Sequence, residues 1–212
     1  MSQSSLSRIA PPVALAAGAL LVITAIVTRL TIPSDAAALG EAVLAPTHAI
    51  NSAAVIAAFA LLSVALVAIF EWEAHAAGWL GVLGLCTAIV GTVVMAGDWW
   101  YEAFAVPWIA EDAPALVEAG VGARVLVGGL ISFALFGIGW ILFGAASLRA
   151  GVFPAGISIG IIAGGLVSAL PIAGAYLYGH IVLGMTVGSL GLWMMRRSAA
   201  AVGLAGQSAA RA

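Results

Sequence analysis

Residues 47–70, and again residues 79–97, contain no Asp, Glu, Lys or Arg. A helix that crosses a hydrocarbon layer of about 30 Å needs about 20 mostly apolar residues, each rising about 1.5 Å. Residues 12–30, 125–148, 154–175 and 177–195 have the same character, with Arg29 the one charge among them. The chain as a whole is 64% hydrophobic and 8% charged, against roughly 25% charged in soluble domains. That little polar surface cannot cover a water-soluble globule, so lipid must meet most of the outside. The expected fold is therefore an all-α polytopic membrane helix bundle with about six transmembrane helices. Residues 1–197 form its single domain, and the small, polar residues 198–212 are expected to be a disordered cytoplasmic tail.

The first apolar segment is longer than the core of a cleaved signal peptide, so it is expected to stay as an anchor. Arg8, Arg149, Arg196, Arg197 and Arg211 fall on one side of such a bundle and only Arg29 and Arg124 on the other. Asp35, Glu41, Asp98, Glu102, Glu111, Asp112 and Glu118 share that second side. Cations gather on the cytoplasmic side, which puts both termini inside and the chain in a plasma membrane. The net charge of −2 is no footprint for nucleic acid. Cys86 is the single cysteine, so no intrachain disulfide is possible.

The longest connection, residues 98–124, opens with Gly97-Asp-Trp-Trp-Tyr-Glu-Ala-Phe-Ala-Val-Pro-Trp108. Pro107 disfavours helix at Val106, so a first helical piece is expected to stop there. Asp112 is expected to cap a second short piece with Pro114 in its first turn, ended by Gly120 and Gly122. Within lipid, small residues let helices approach closely. Gly156, Gly160, Gly164 and Ser168 recur every four residues, as do Gly184 and Gly188, so the fifth and sixth helices are expected to pack together. Pro171 is expected to kink or end the fifth.

If helix continues past Gly97, Asp98 and Glu102 share one face at i and i+4, with Tyr101 beside them. Like charges at that spacing repel, and in a dry setting one carboxyl can donate a proton while the other stays ionised. A hydrated loop whose acids never leave water is the competing reading. Trp99, Trp100, Phe104 and Trp108 can line a pocket or form an aromatic belt at headgroup level. His48, Asn51 and Ser52 fall on one face of the second helix, and Tyr176, Tyr178 and His180 begin the sixth. Five helix ends thus bring polar and aromatic residues to one level. His48 and His180 alone are a weak signal for haem, and no metal-ligand spacing accompanies them. Glu71 and His75, at i and i+4, read as a hydrated loop on the opposite side. No phosphate-cradling loop, nucleophile elbow or zincin motif is present.

Residues Trp100 to Pro107, Gly139-Trp-Ile-Leu-Phe-Gly144, Leu148-Arg-Ala150 and Pro154 together resemble a pattern of small six-helix bacterial membrane proteins that are largely uncharacterised. That resemblance implies a fold more than an activity. In size and helix content the chain is also similar to small integral-membrane terpene cyclases, which implies protonation of an olefin or epoxide by a membrane-embedded acid. Three functions follow as expectations. The first is acid-initiated cyclisation or isomerisation of a lipophilic prenyl substrate. Asp98, Glu102 and His48 would then be catalytic, with Trp99, Trp100, Tyr101, Phe104, Trp108, Asn51, Tyr176 and His180 around the substrate, and no cofactor or metal. The second is a non-catalytic carrier, subunit or accessory protein held in membrane lipid, its acidic loop a docking surface. The third is haem or quinone binding through His48 and His180.

Overall fold

In the computed structural model, residues 5–33, 36–119, 122–170, 172 and 174–209 are described. Among the described residues the chain is 92% helical with no strand. Its helices are α1 (Ser5–Thr31), α2 (Ala36–Leu44), α3 (Pro46–Trp100), α4 (Val106–Asp112), α5 (Pro114–Glu118), α6 (Ala123–Ala150), α7 (Ala155–Ser168) and α8 (Ala175–Ala209), with a π-helical turn, Tyr101–Ala105, between α3 and α4. Among the described residues four runs, Ser7–Thr31, Pro46–Asp112, Ala123–Ala150 and Ala175–Ala200, are long and apolar enough to cross a membrane, and α7 is a shorter apolar helix. This is the expected all-α bundle.

The 55-residue α3 is two antiparallel arms, residues 46–77 and 79–100. Gly78 joins them at φ 62°, ψ −158°, a region of backbone space that only glycine occupies at ease. A straight helix would hold residues 48 and 102 about 80 Å apart, yet His48 Nε2 lies 3.0 Å from the Glu102 carbonyl oxygen. The arms correspond to the second and third apolar segments of the sequence.

Neighbouring elements close a ring: α1 packs on α8 and α3, α3 on α6, α6 on α7, and α7 on α8. Phe59, Phe136 and His180 meet edge to face at its centre. Trp140 stacks beside Phe136 and donates from Nε1 to Thr92 Oγ1 at 3.2 Å, tying the second arm of α3 to α6. Glycines set how closely the helices approach. On α7, Gly160 and Gly164 sit against Thr186 and Leu183 of α8, whereas Gly184 and Gly188 face Gly18 of α1 rather than α7. Gly156 has open space where a side chain would project. A seam that the sequence reading did not single out lies between α3 and α6, where a Cβ on Gly84 or Gly139 would meet backbone of the facing helix at 2.8 and 2.5 Å.

Several local expectations are corrected. Helix does not stop before Pro107: Val106 is αR at φ −64°, ψ −46°, and the π turn relieves the strain instead. Asp112 ends α4 and caps nothing. Ala113 precedes α5, with Pro114 at its start and no side-chain cap. Gly122 leads into α6, while Gly120, Pro171 and Asp35 lie outside the described residues. The fifth helix is shorter than expected, ending at Ser168. A whole helix, α2, occupies what reads in the sequence as a connection. The tail from residue 198 is helical as far as Ala209, in keeping with its alanine content, and Arg211 lies outside the described residues. At the Gly78 end, residues 71–75, expected as a hydrated loop, are helical, and Glu73 among them is buried, its Oε1 accepting from Ser147 Oγ at 2.7 Å.

A carboxyl-bearing cavity at one end of the bundle

At the end of the bundle away from Gly78, the first arm of α3 begins and the second arm ends. The second arm stays helical through Asp98 and Trp99, then widens into the π turn. The cause is Pro107. An α-helix would pair the Glu102 carbonyl with the Val106 N–H, but that N–H bonds Tyr101 O instead. In the wider π ladder its partner would be residue 107, and proline has no N–H. The Glu102 carbonyl is therefore left for a side chain, and His48 supplies it at 3.0 Å. Because a carbonyl only accepts, Nε2 of His48 carries the proton, and in the neutral ring Nδ1 is then the acceptor. The same device works at the other end: Pro11 cannot donate to the Ser7 carbonyl, and Trp72 Nε1 reaches it at 3.2 Å.

Around this joint lies a cavity of about 300 Å³ lined by Thr28, Ile32, Leu39, Val43, His48, Asp98, Trp99, Glu102, Phe133 and Tyr176. Five helices contribute: α1, α2, both arms of α3 with the π turn, α6 and α8. Asp98 and Glu102 are half-buried, Trp99 and His48 buried. Asn51 stands next to the lining and donates to Thr28 Oγ1 at 2.8 Å, tying α3 to α1. Phe133 and Tyr176 stack with ring centroids 4.9 Å apart. A second, more apolar cavity of about 550 Å³ runs from Leu39 and Glu102 past Tyr101, Val106 and Ile109 to Leu116, Val117 and Val125. A third, of about 150 Å³, again holds Asp98, Tyr101, Glu102 and Phe133, here against Val125, Leu126, Gly129 and Leu130. Glu102 is the one residue common to all three. None of them is lined by Arg.

The structure thus brings Asp98, Glu102, His48, Trp99, Tyr101 and Tyr176 to one place, with Asn51 behind them. It leaves Trp100, Phe104 and Trp108 out: all three are more than half exposed, the arrangement of a belt on an apolar surface. His180 is also outside the cavity, buried one turn below Tyr176 against its ring and those of Phe59 and Phe136. Its Nε2 has no hydrogen-bond partner. A group held between two histidines needs both rings turned into one open space, and His180 is enclosed while the Nε2 of His48 is already engaged. Among the described residues no three His, Cys, Asp or Glu gather as a metal would need. Sequence reasoning missed Thr28, Ile32, Leu39, Val43 and Phe133. Thr28, one turn before the end of α1, was open to detection as a polar side chain at the level of His48, whereas Phe133 is one apolar residue among many.

Compared with known proteins, the chain matches no family model, no curated sequence and no solved structure.

Proposed function

We propose that this chain is a multi-pass protein of a bacterial plasma membrane, both termini cytoplasmic, that protonates an alkene in a lipophilic prenyl-type substrate and releases a cyclised or isomerised product. The observation that carries the reading is the position of Glu102 where a cavity that also holds Asp98 and His48 adjoins one walled mainly by aliphatic side chains. The excess of Arg on the side of the Gly78 turn supports the orientation.

In this reaction the Glu102 O–H bond breaks as the alkene π pair takes the proton, leaving a carboxylate and a carbocation. Asp98, ionised, and the faces of Trp99, Phe133 and Tyr176 lower the energy of the positive charge. A second double bond of the same chain attacks the cation and closes a ring, or the cation simply shifts. A neighbouring C–H proton then returns to the Glu102 carboxylate, directly or by way of Nδ1 of His48, which restores both a double bond and the acid. Substrate and product are isomers, so no co-reactant is consumed.

The test is incubation of membranes holding the protein with uncharged isoprenoid alcohols, epoxides and prenylated phenols, followed by mass spectrometry for products isomeric with the substrate. Glu102→Gln and Asp98→Asn should each abolish them, while Cys86→Ser, on the exposed side of α3, should not. Isomeric product that persists in both carboxyl variants removes the proposed acid. Absence of any product from the unaltered protein leaves the carrier or accessory reading.

A further inference from the structure

We infer that the same cavity is a binding site for lipophilic organic cations: an ammonium-type centre beside Asp98 and Glu102, carried on an apolar body that lies in the adjoining 550 Å³ cavity. The inference rests on reading that cavity as a ligand site, though not on the chemistry proposed for it. Shape comes first. The smaller cavity, at about 300 Å³, has room for roughly ten water-sized volumes, enough for a substituted ammonium head. It shares Leu39 and Glu102 with the larger one, whose walls past Glu102 and Tyr101 are aliphatic. A compartment bearing two carboxyls that leads into an aliphatic one is the outline of an amphiphile.

Charge then selects the head. Two carboxyls line the small cavity and no Arg lines any of the three; Arg29 and Arg124, the cations nearest in sequence level, are exposed. A phosphate, sulfate or carboxylate head would meet two acids and no counter-charge in a place partly stripped of water, which is costly. A cation meets the reverse. The aromatic wall adds to this, because Trp99 is buried at the cavity and the Phe133–Tyr176 pair stacks at 4.9 Å, and π faces attract ammonium groups most strongly where water is excluded. One N–H of the lining, His48 Nε2, is already engaged by the Glu102 carbonyl. The remaining ring nitrogen accepts, which again suits a positively charged N–H or N–CH₃ group.

The full chain in phosphatidylcholine nanodiscs can be titrated calorimetrically with decyltrimethylammonium, uncharged decyldimethylphosphine oxide and decyl sulfate, subtracting empty nanodiscs. The tail is constant and only the head charge changes. The ammonium compound should bind about tenfold more tightly than the phosphine oxide, and decyl sulfate should not compete with it. Asp98→Asn and Glu102→Gln, singly and together, should erase that preference while leaving the phosphine oxide affinity in place, which also shows that the variants are folded. Ile109→Trp, filling the apolar cavity, should weaken both compounds alike and keep their ratio. Equal binding of the ammonium and phosphine oxide compounds, tighter binding of decyl sulfate, or no saturable binding of any probe overturns the inference. Selective ammonium binding without any isomeric product would retire the proposed reaction and leave the cation site standing.

Discussion

His48 Nε2 lies 3.0 Å from the backbone oxygen of Glu102, a residue 54 positions further along the chain. That contact closes the α3 hairpin at the end opposite its turn, and it fixes both the backbone that carries the Glu102 carboxyl and the tautomer of the histidine beside it. Removing the imidazole leaves a carbonyl that Pro107 has already deprived of a helical donor. A buried acceptor without a partner costs about 1–3 kcal/mol. His48→Ala should therefore lower the thermal unfolding midpoint in detergent, and His48→Gln, which keeps an N–H within reach, should recover part of the loss. Equal midpoints for all three proteins would mean that the carbonyl is satisfied by water and that the contact is incidental.

Pro107 is the origin of this arrangement, so its replacement makes the complementary prediction. Pro107→Ala supplies the missing N–H, and the segment can then close its ladder without the π turn. Stability should hold or rise, while the carboxyl of Glu102 rotates relative to Asp98 and the ammonium preference of the cavity falls. The two substitutions should be strongly non-additive: His48→Ala should cost much less in a Pro107→Ala background, which a double-mutant cycle on unfolding midpoints measures. Additive losses would separate the histidine from the proline.

The reversal at Gly78 gives a third prediction. At φ 62°, ψ −158° any Cβ is strained by about 1–3 kcal/mol, although the space around it is open. Gly78→Ala should destabilise by that strain alone. Gly97→Ala, equally open but within regular helix, should be neutral or stabilising by up to about 1 kcal/mol. Gly139→Ala tests packing instead of backbone, because its Cβ would fall 2.5 Å from the backbone of Ala88. It should be the worst of the three, and a ranking with Gly97→Ala lowest would contradict the assignment of these roles.

These glycines show what could be read before the structure. Apolar runs are set by single-residue chemistry, so the apolar helices and the level shared by His48, Asp98, Glu102 and Tyr176 were legible. The four-residue glycine spacing was legible as a packing signal, but not its partner: Gly184 and Gly188 meet Gly18 because α8 closes the ring onto α1, a property of the whole bundle. Pro107 was legible as a break and was misread as an end, because a proline can be absorbed by a π turn when a distant histidine takes the stranded carbonyl. Leu39 and Val43 of α2 were hidden because a nine-residue apolar helix resembles a linker in sequence. Trp99 and Trp100 are adjacent and chemically alike, and only the helix phase sends one into the cavity and the other to the surface.

Glu73 was hidden for the opposite reason, since Glu71-Trp-Glu-Ala-His75 looks like a hydrated turn. It is 1% exposed, accepts from Ser147 Oγ at 2.7 Å, and leaves Oε2 without a partner. Ser147→Ala strips its remaining hydrogen bond and should destabilise by about 1–3 kcal/mol. Replacing both partners with apolar groups removes the uncompensated polar atoms together, and such exchanges are often neutral or stabilising. Glu73→Met combined with Ser147→Ala should therefore unfold at a higher temperature than Ser147→Ala alone. It should also leave ammonium binding unchanged, because Glu73 lies at the far end of the bundle from Asp98. Loss of binding in that double variant would mean that the two ends are coupled through the Phe59–Phe136–Trp140 core, while a lower midpoint would mean that Glu73 contributes more to the fold than its single hydrogen bond accounts for.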